Sequence, residues 1–395
     1  MNLIQNKKTG ILNQVQPKFV ITEYPCDYEG YHTLDVFSLF EYEQLILDDW
    51  NIGCGNNPAC IMFSSGTTGT PKGIVISHKN IISMVTVGKS FIKEACSKVL
   101  MISNNGFDGS TYDIYRTLFN GGILYVPEEN LIRNPESLFN YTLEQSITGL
   151  YMSSSYFNII AETFDLSKWK SVVEIVVGGE KLNSNIINHA NKKLLGTITN
   201  GYGPTETTCC ALSYQIPKQK EIKSSVPLGY ANLNLDMIVV DERGLVCERG
   251  ISGELCISGD GKMLGYLHEK SPLIIYSGKE FYKTGDIVVM DEENKFHFIG
   301  RVDRQIKING YRVILNELEE SLNEMELIFE SKIIFEDNKL IIYLKSQEDA
   351  KLSLNEISKK IPDYLKPYVI RKVTEFQLNN SGKIDLKNTE FEVLE

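Results

Sequence analysis

Short apolar runs alternate with amphipathic stretches along most of this chain. Phe19-Val20-Ile21-Thr22, Val172 to Val177 and Leu194 to Thr199 are brief and rich in β-branched residues, the pattern of strands. Ile81 to Lys93 and Tyr112 to Phe119 carry apolar residues at helical spacing, and Gly121-Gly122 ends the second. Alternation of this kind predicts parallel sheets with crossover helices from about residue 17 to 300. From Gly253 the pattern becomes hairpin-rich, which predicts a small β subdomain.

Beyond residue 303 the pattern changes again. Ile306-Lys307-Ile308 and Tyr311-Arg312-Val313 flank Asn309-Gly310, a strong hairpin signal. Asn316 followed by Glu319 suggests a capping box opening a helix to Met325. Lys332 to Phe335 and Leu340 to Leu344 flank Asp337-Asn338 as a second hairpin, and Ser353 with Glu356 opens another helix. The expected architecture is therefore α/β: a large core of helix-flanked sheets with a β subdomain over 1–302, then a small α+β unit over 303–395. Roughly ninety residues suffice for an independent core.

With 395 residues, the chain is longer than a single core usually serves. Its net charge of −11 argues against non-specific binding to nucleic acid or anionic membranes. A phosphate ligand is still permitted, because backbone amides hold phosphate whatever the global charge. The cysteines form no CxxC pair and the histidines no HExxH, so neither a zinc site nor a disulfide scaffold is expected. No leader-like apolar stretch and no bilayer-length run appear, and the reading is a cytoplasmic protein.

One segment concentrates anion-binding chemistry. Ser64-Ser65-Gly66-Thr67-Thr68-Gly69-Thr70-Pro71-Lys72-Gly73 follows the apolar run Cys60 to Phe63. Glycines let the backbone approach an anion, hydroxyls donate to it and lysine adds charge. It is not a Walker A loop, and its composition also suits a flexible surface loop.

This segment resembles the phosphate-binding loop of the adenylate-forming superfamily. That group includes acyl-CoA synthetases, luciferases and the amino-acid adenylation domains of nonribosomal peptide synthetases. Further matches follow in the family's order: Phe107-Asp108-Gly109-Ser110, Asn200-Gly201-Tyr202-Gly203-Pro204-Thr205-Glu206, Gly253-Glu254-Leu255-Cys256-Ile257 and Tyr282-Lys283-Thr284-Gly285-Asp286. Gly300 to Gly310 matches the hinge motif, Ile361 to Pro367 is a looser match, and Asn380-Ser381-Gly382-Lys383-Ile384-Asp385 is the last.

The resemblance implies roles. Ser64, Ser65, Gly66, Thr67, Thr68 and Gly69 would cradle phosphate with Lys72. Tyr202 would face adenine, with Asn200 and Gly201 at the ring edge, and Asp286 and Arg301 would sit at the ribose. Thr205 would bond phosphate, and Glu206 would hold Mg²⁺. Lys383 would stabilise the attack of a carboxylate on the α-phosphate. Asp303 would be the hinge about which the mobile lid alternates between adenylation and thioester formation. Taken singly, Asp286 also suits a turn, Glu206 and Lys383 solvated charges, and Tyr202 core packing.

Asp108 implies an amino-acid substrate, since acyl- and aryl-CoA synthetases have no ammonium to pair. The implied pocket is Asp108, Gly109, Tyr112, Tyr151, Val176, Gly178, Gly201, Cys209 and Cys210, with Lys383 at the carboxylate. No charge is left for the side chain, Gly178 and Gly201 are read as opening space, and a medium apolar side chain is expected. The implied reaction is ATP-dependent formation of aminoacyl-AMP, then transfer to the phosphopantetheine thiol of a carrier protein. Alternatives are a D-alanine–carrier ligase, an acyl- or aryl-CoA ligase, and a truncated non-catalytic nucleotide-binding protein. Only 63 residues precede Ser64, fewer than the family's norm, so part of the N-terminal region is missing, trimmed or supplied by another chain. No carrier attachment motif follows Lys383, which implies a carrier in trans or from a removed segment.

Overall fold

In a computed structural model, the structure describes residues 2–23, 28, 30–37, 53–64, 71–86, 97–218, 220–223, 225–302, 305–308, 311–336, 339–346, 353–377 and 386–394. Asp303, Lys383, the stretch 65–70 and the turn Asn309-Gly310 lie outside them.

The central element is a seven-stranded sheet. In spatial order its strands are Tyr230–Ala231, Leu212–Gln215, Thr197–Tyr202, Glu174–Gly178, Gly149–Ser153, Lys98–Leu100 and Ile123–Tyr125. The five from Thr197–Tyr202 to Ile123–Tyr125 pair in parallel, and the first two are antiparallel additions. Parallel pairing follows from the helices between the strands: Pro135–Glu144, Ser154–Thr163 and Ser184–Lys193. Each has a side-chain cap at its start, from Asn134, Ser153 and Asn183. Their apolar faces and the sheet bury Leu138, Phe157, Ile160, Trp169, Ile175, Ile187 and Ile198 in one core.

An antiparallel sheet of five strands abuts it: Leu235–Val240, Ser252–Gly259, Leu273–Tyr276, Lys279–Met290 and Phe296–Arg301. It begins at Leu235 rather than at Gly253, because Leu235–Val240 pairs along its length with Ser252–Gly259. A third, three-stranded sheet joins Pro58–Ser64, Lys72–Ser77 and Gly265–Tyr266. The helix at the chain's start, Asn2–Val15, reaches the same place: the Gln14 amide donates to the Pro71 carbonyl at 2.9 Å.

Residues 305–394 carry a core of their own, made of Leu318, Leu322, Ile333, Ile342, Ile357 and Ile370 among others. The hairpin Gln305–Ile308/Tyr311–Ile314 forms with the register that its alternation dictates. Ser353 caps Leu354–Lys360 by accepting from the Glu356 amide. The helix expected from Asn316 does not open there. Leu315–Asn323 has Ile314 as its N-cap, two residues before Asn316, and Glu319 accepts from the Ile333 amide at 2.6 Å. A strand amide won the carboxylate that a cap was expected to use. The helix His78–Thr86 also starts before the expected Ile81, and its expected end at Lys93 lies outside the described residues.

Candidate active site

The phosphate-loop segment sits on a hairpin. Ser64 lies opposite Lys72 at its mouth, so the stretch 65–70 is the connection between the two strands. Lys72 Nζ lies 2.9 Å from Glu269 and 5.8 Å from the centre of the Tyr266 ring. The Tyr266 hydroxyl donates to Glu206 Oε1 at 2.8 Å. Lys72 and Glu206, far apart in sequence, are therefore linked through one aromatic side chain. Nothing in the local pattern marks Tyr266; its place comes from pairing with Ile74.

Glu206 is buried at the centre of the short turn Thr205–Thr207. Thr208 and Cys209 follow with φ of 58° and 72°, two successive non-glycine residues in the left-handed region. Such backbone persists only where its surroundings hold it, and functional sites are where it concentrates. Here the Thr208 hydroxyl donates to the Gly261 carbonyl at 2.8 Å, and the Met263 amide to the Glu206 carbonyl at 2.9 Å. Mg²⁺ takes few protein carboxylates and relies on substrate phosphates for the rest. A single buried carboxylate beside a phosphate-type hairpin fits that ion; among the described residues no cluster of three or more metal-ligating side chains occurs.

The strand Thr197–Tyr202 delivers the next group. The Tyr202 hydroxyl donates to Asp286 Oδ2, and Arg301 Nη1 donates to Asp286 Oδ1. Asp286 and Arg301 face each other across the ladder between Lys279–Met290 and Phe296–Arg301. Arg301 Nη2 also donates to the Thr284 carbonyl at 3.1 Å, and the Thr284 hydroxyl supports the Asp286 amide at 3.1 Å. Burial, and then the neighbouring Asp286 charge, hold the Tyr202 phenol well above its usual range. Three residues read separately from sequence thus form one knot. On the same strand as Tyr202, the Asn200 side-chain amide donates to the Pro227 carbonyl at 2.7 Å.

Asp108 precedes a helical segment running from Gly109 to Phe119, with a wider turn over Tyr112–Arg116. Wide turns of this kind cost hydrogen-bond geometry and recur at functional sites. Tyr112 and Tyr151 lie with ring centres 5.0 Å apart, and Cys209 Sγ is 3.6 Å from the Tyr151 hydroxyl. Tyr112, Val176, Cys209 and Cys210 share one buried cluster, and the Asp108 charge is felt at both Tyr151 and Cys209. Burial pushes the Cys210 thiol up to about 11 and Cys209 well above its usual value, so both are neutral at physiological pH.

Sequence reasoning missed the layer behind these residues. Arg116 lies 5.4 Å from the Tyr112 ring centre, and Glu174 accepts from the Thr199 hydroxyl at 2.8 Å. Both are buried, with Asp113, around a small cavity that Tyr112, Tyr151 and Val176 also line. Charges do remain near the pocket, on its far side. The available signal was Glu174 within the apolar run from Val172 to Val177, and Arg116 one helical turn after Tyr112.

The model of the AMP-binding enzyme family matches residues 10–267. Bacitracin synthase 1 of Bacillus licheniformis is 31% identical over 355 residues, covering 85% of this chain and 7% of that protein. The chain thus spans a small fraction of that relative's length. Zwittermicin A synthase ZmaJ of Bacillus cereus is 31% identical over 363 residues, covering 85% of this chain and 69% of that one. Among solved structures, holo-PA1221, described as a nonribosomal peptide synthetase protein containing adenylation and carrier domains, superposes with a TM-score of 0.82 at 26% identity, covering 96% of this chain and 68% of that one. An artificially fused adenylation–carrier di-domain from Klebsiella oxytoca superposes with a TM-score of 0.79 at 23% identity, over 92% of this chain and 76% of that one, which speaks to the fold alone.

Proposed function

The chain belongs to the AMP-binding enzyme family, and from that premise we propose that it activates an amino acid with ATP and passes it to a carrier-protein thiol. The observation that carries this reading is that one strand serves two sets of groups: Gly201 packs on Val176 and Cys210, and Tyr202 follows it. The Tyr202–Asp286–Arg301 knot suits a nucleoside, and Asp108, one helical turn before Tyr112 and near enough for its charge to act on Tyr151 and Cys209, suits an ammonium next to an uncharged wall.

In the first step a carboxylate oxygen attacks the α-phosphorus of ATP. The bond to the bridging oxygen breaks, pyrophosphate leaves and a mixed anhydride remains. Lys72 and the hydroxyls from Ser64 onward would hold the leaving phosphates, and Thr205 would bond a phosphate oxygen. Glu206 would hold Mg²⁺, which supplies charge neutralisation as negative charge shifts to the departing group. Asp286 has acceptor sites beyond those taken by Tyr202 and Arg301, enough for ribose hydroxyls. Asp108 would fix the α-ammonium, and Lys383, outside the described residues, would bridge carboxylate and phosphate. In the second step a carrier thiol attacks the carbonyl, AMP leaves and a thioester forms.

We read residues 303–395 as the lid that alternates about Asp303 between these steps. In this structure Tyr311 of the lid hairpin lies against Phe107, with ring centres 5.6 Å apart, one residue from Asp108. That position presents the hairpin to the site and supports the thioester-forming arrangement. The carrier is read as acting in trans or from a removed segment, and the setting as cytoplasmic. Among the described residues no helix is long and apolar enough to cross a membrane. The D-alanine-ligase, CoA-ligase and non-catalytic readings are not favoured, because the curated relatives include bacitracin synthase 1, gramicidin S synthase 2 and zwittermicin A synthase ZmaJ. ATP–pyrophosphate exchange across the proteinogenic amino acids, D-alanine, aryl acids and fatty acids tests the reading. Exchange with an amino acid supports it; exchange driven equally by aryl or fatty acids overturns it.

A further inference from the structure

We infer that the amino acid has a small uncharged side chain, of the size of glycine, alanine, serine or cysteine, because Tyr112 and Tyr151 close the pocket immediately beyond Asp108. This rests on the reading of Asp108 as the ammonium partner and replaces the expected medium side chain.

The argument starts at the glycines. A Cβ added at Gly109 would lie 2.7 Å from Tyr151 Cε1 and 2.6 Å from Ser103 Oγ, so the Tyr151 ring already occupies the space beside Asp108. Gly201 does not open room either. A Cβ there would meet Val176 Cγ1 at 3.0 Å and Cys210 Sγ at 3.5 Å, so those two side chains fill the place that a larger residue would take. Gly178 serves another purpose: its added Cβ would lie 2.3 Å from the Gly201 carbonyl oxygen, so its missing side chain lets two strands approach. Both glycines are consumed by packing.

The rings have little room to retreat. Tyr112 is 4% exposed, touches Tyr151 on one side and has the Arg116 guanidinium 5.4 Å from its ring centre on another. The cavity behind it is small, with room for little more than a water molecule. A branched or aromatic substrate side chain must push a ring into that space, which well-packed interiors resist. A side chain of one or two heavy atoms needs no such movement.

The test is kcat/KM for ATP–pyrophosphate exchange with glycine, both alanine enantiomers, serine, valine, leucine and phenylalanine, using the wild type, Tyr112→Ala and Tyr151→Ala. The wild type should favour a small member over leucine and phenylalanine by at least about tenfold, the discrimination a hydrophobic pocket achieves for one methylene or more. Either alanine variant should narrow or reverse that ratio by a similar factor. Leucine or phenylalanine used as well as alanine by the wild type overturns the size inference and leaves the amino-acid reading standing. Exchange with no amino acid at all overturns both. The wild-type ranking decides by itself, so a variant that does not fold leaves the test intact.

Discussion

Asp286 shows how one carboxylate acquires several duties. It accepts from Tyr202 and from Arg301 while lying at the proposed ribose position. Asp286→Ala should weaken ATP binding by about 1.5–3 kcal/mol, as expected for charge-assisted hydrogen bonds, and calorimetry measures this directly. The same change strips a buried arginine of its carboxylate, so the unfolding free energy from urea melts should also fall, by an amount on the order of 3 kcal/mol. Unchanged affinity with lowered stability would assign Asp286 to the fold alone. Asp113 makes a different prediction. It is buried behind Tyr112, and desolvation pushes its carboxyl up to about 7 from 3.8, partly offset by the Ser103 and Ile102 amides that it accepts. A carboxyl raised in the folded state contributes stability that is fully present below about pH 4 and lost as pH rises through about 7. Asp113→Asn should therefore gain on the wild type between those values, by up to about 4 kcal/mol at about 1.4 kcal/mol per pKa unit. Denaturant midpoints at pH 4 and pH 8 check it, and parallel curves for the two proteins would contradict the shift.

At the scale of elements, strand spacing explains why glycine stands at two of the proposed pocket positions. Gly178 and Gly201 are register partners on adjacent parallel strands. Gly178→Ala sets a methyl against a backbone carbonyl, which cannot swing aside, and should cost about 1–3 kcal/mol. Gly201→Ala meets the Val176 side chain first and should cost less. Thermal melts of the two variants give the ranking, and equal losses would mean that the strands separate freely at this point. The helix Leu315–Asn323 carries the opposite lesson, about local signals. Its capping pattern was present in sequence, yet Glu319 went to the Ile333 amide, because a buried edge-strand amide left without a partner is costly.

At the scale of the whole molecule, the proposed lid couples motion to chemistry. Lys383→Ala should lower adenylation by about 10²–10³, the usual loss for a preorganised group aimed at developing charge. ATP binding, held mainly by the large region, should change little, and a chemically supplied aminoacyl-adenylate should still transfer to a thiol. Equal loss in both half-reactions would make Lys383 structural. The Phe107–Tyr311 contact joins the lid to the residue before Asp108, so the two half-reactions are the natural readout for this face as well.

The sequence by itself determined the strand–helix alternation, the hairpin at 305–314, the Ser353 cap and the order of the motifs. Each of these depends on residues a few positions apart, where spacing and turn chemistry suffice. It also identified Asp108, Tyr202, Glu206 and Asp286 as candidates, through residue type within recognisable motifs. Only the tertiary structure decided that Tyr266 bridges Lys72 to Glu206, that Arg301 and Tyr202 share Asp286, and that Arg116 and Glu174 stand behind Tyr112. The same holds for the pocket's size. Whether a glycine opens space or is consumed by a neighbouring strand depends on atoms distant in sequence, and no local pattern encodes that distance.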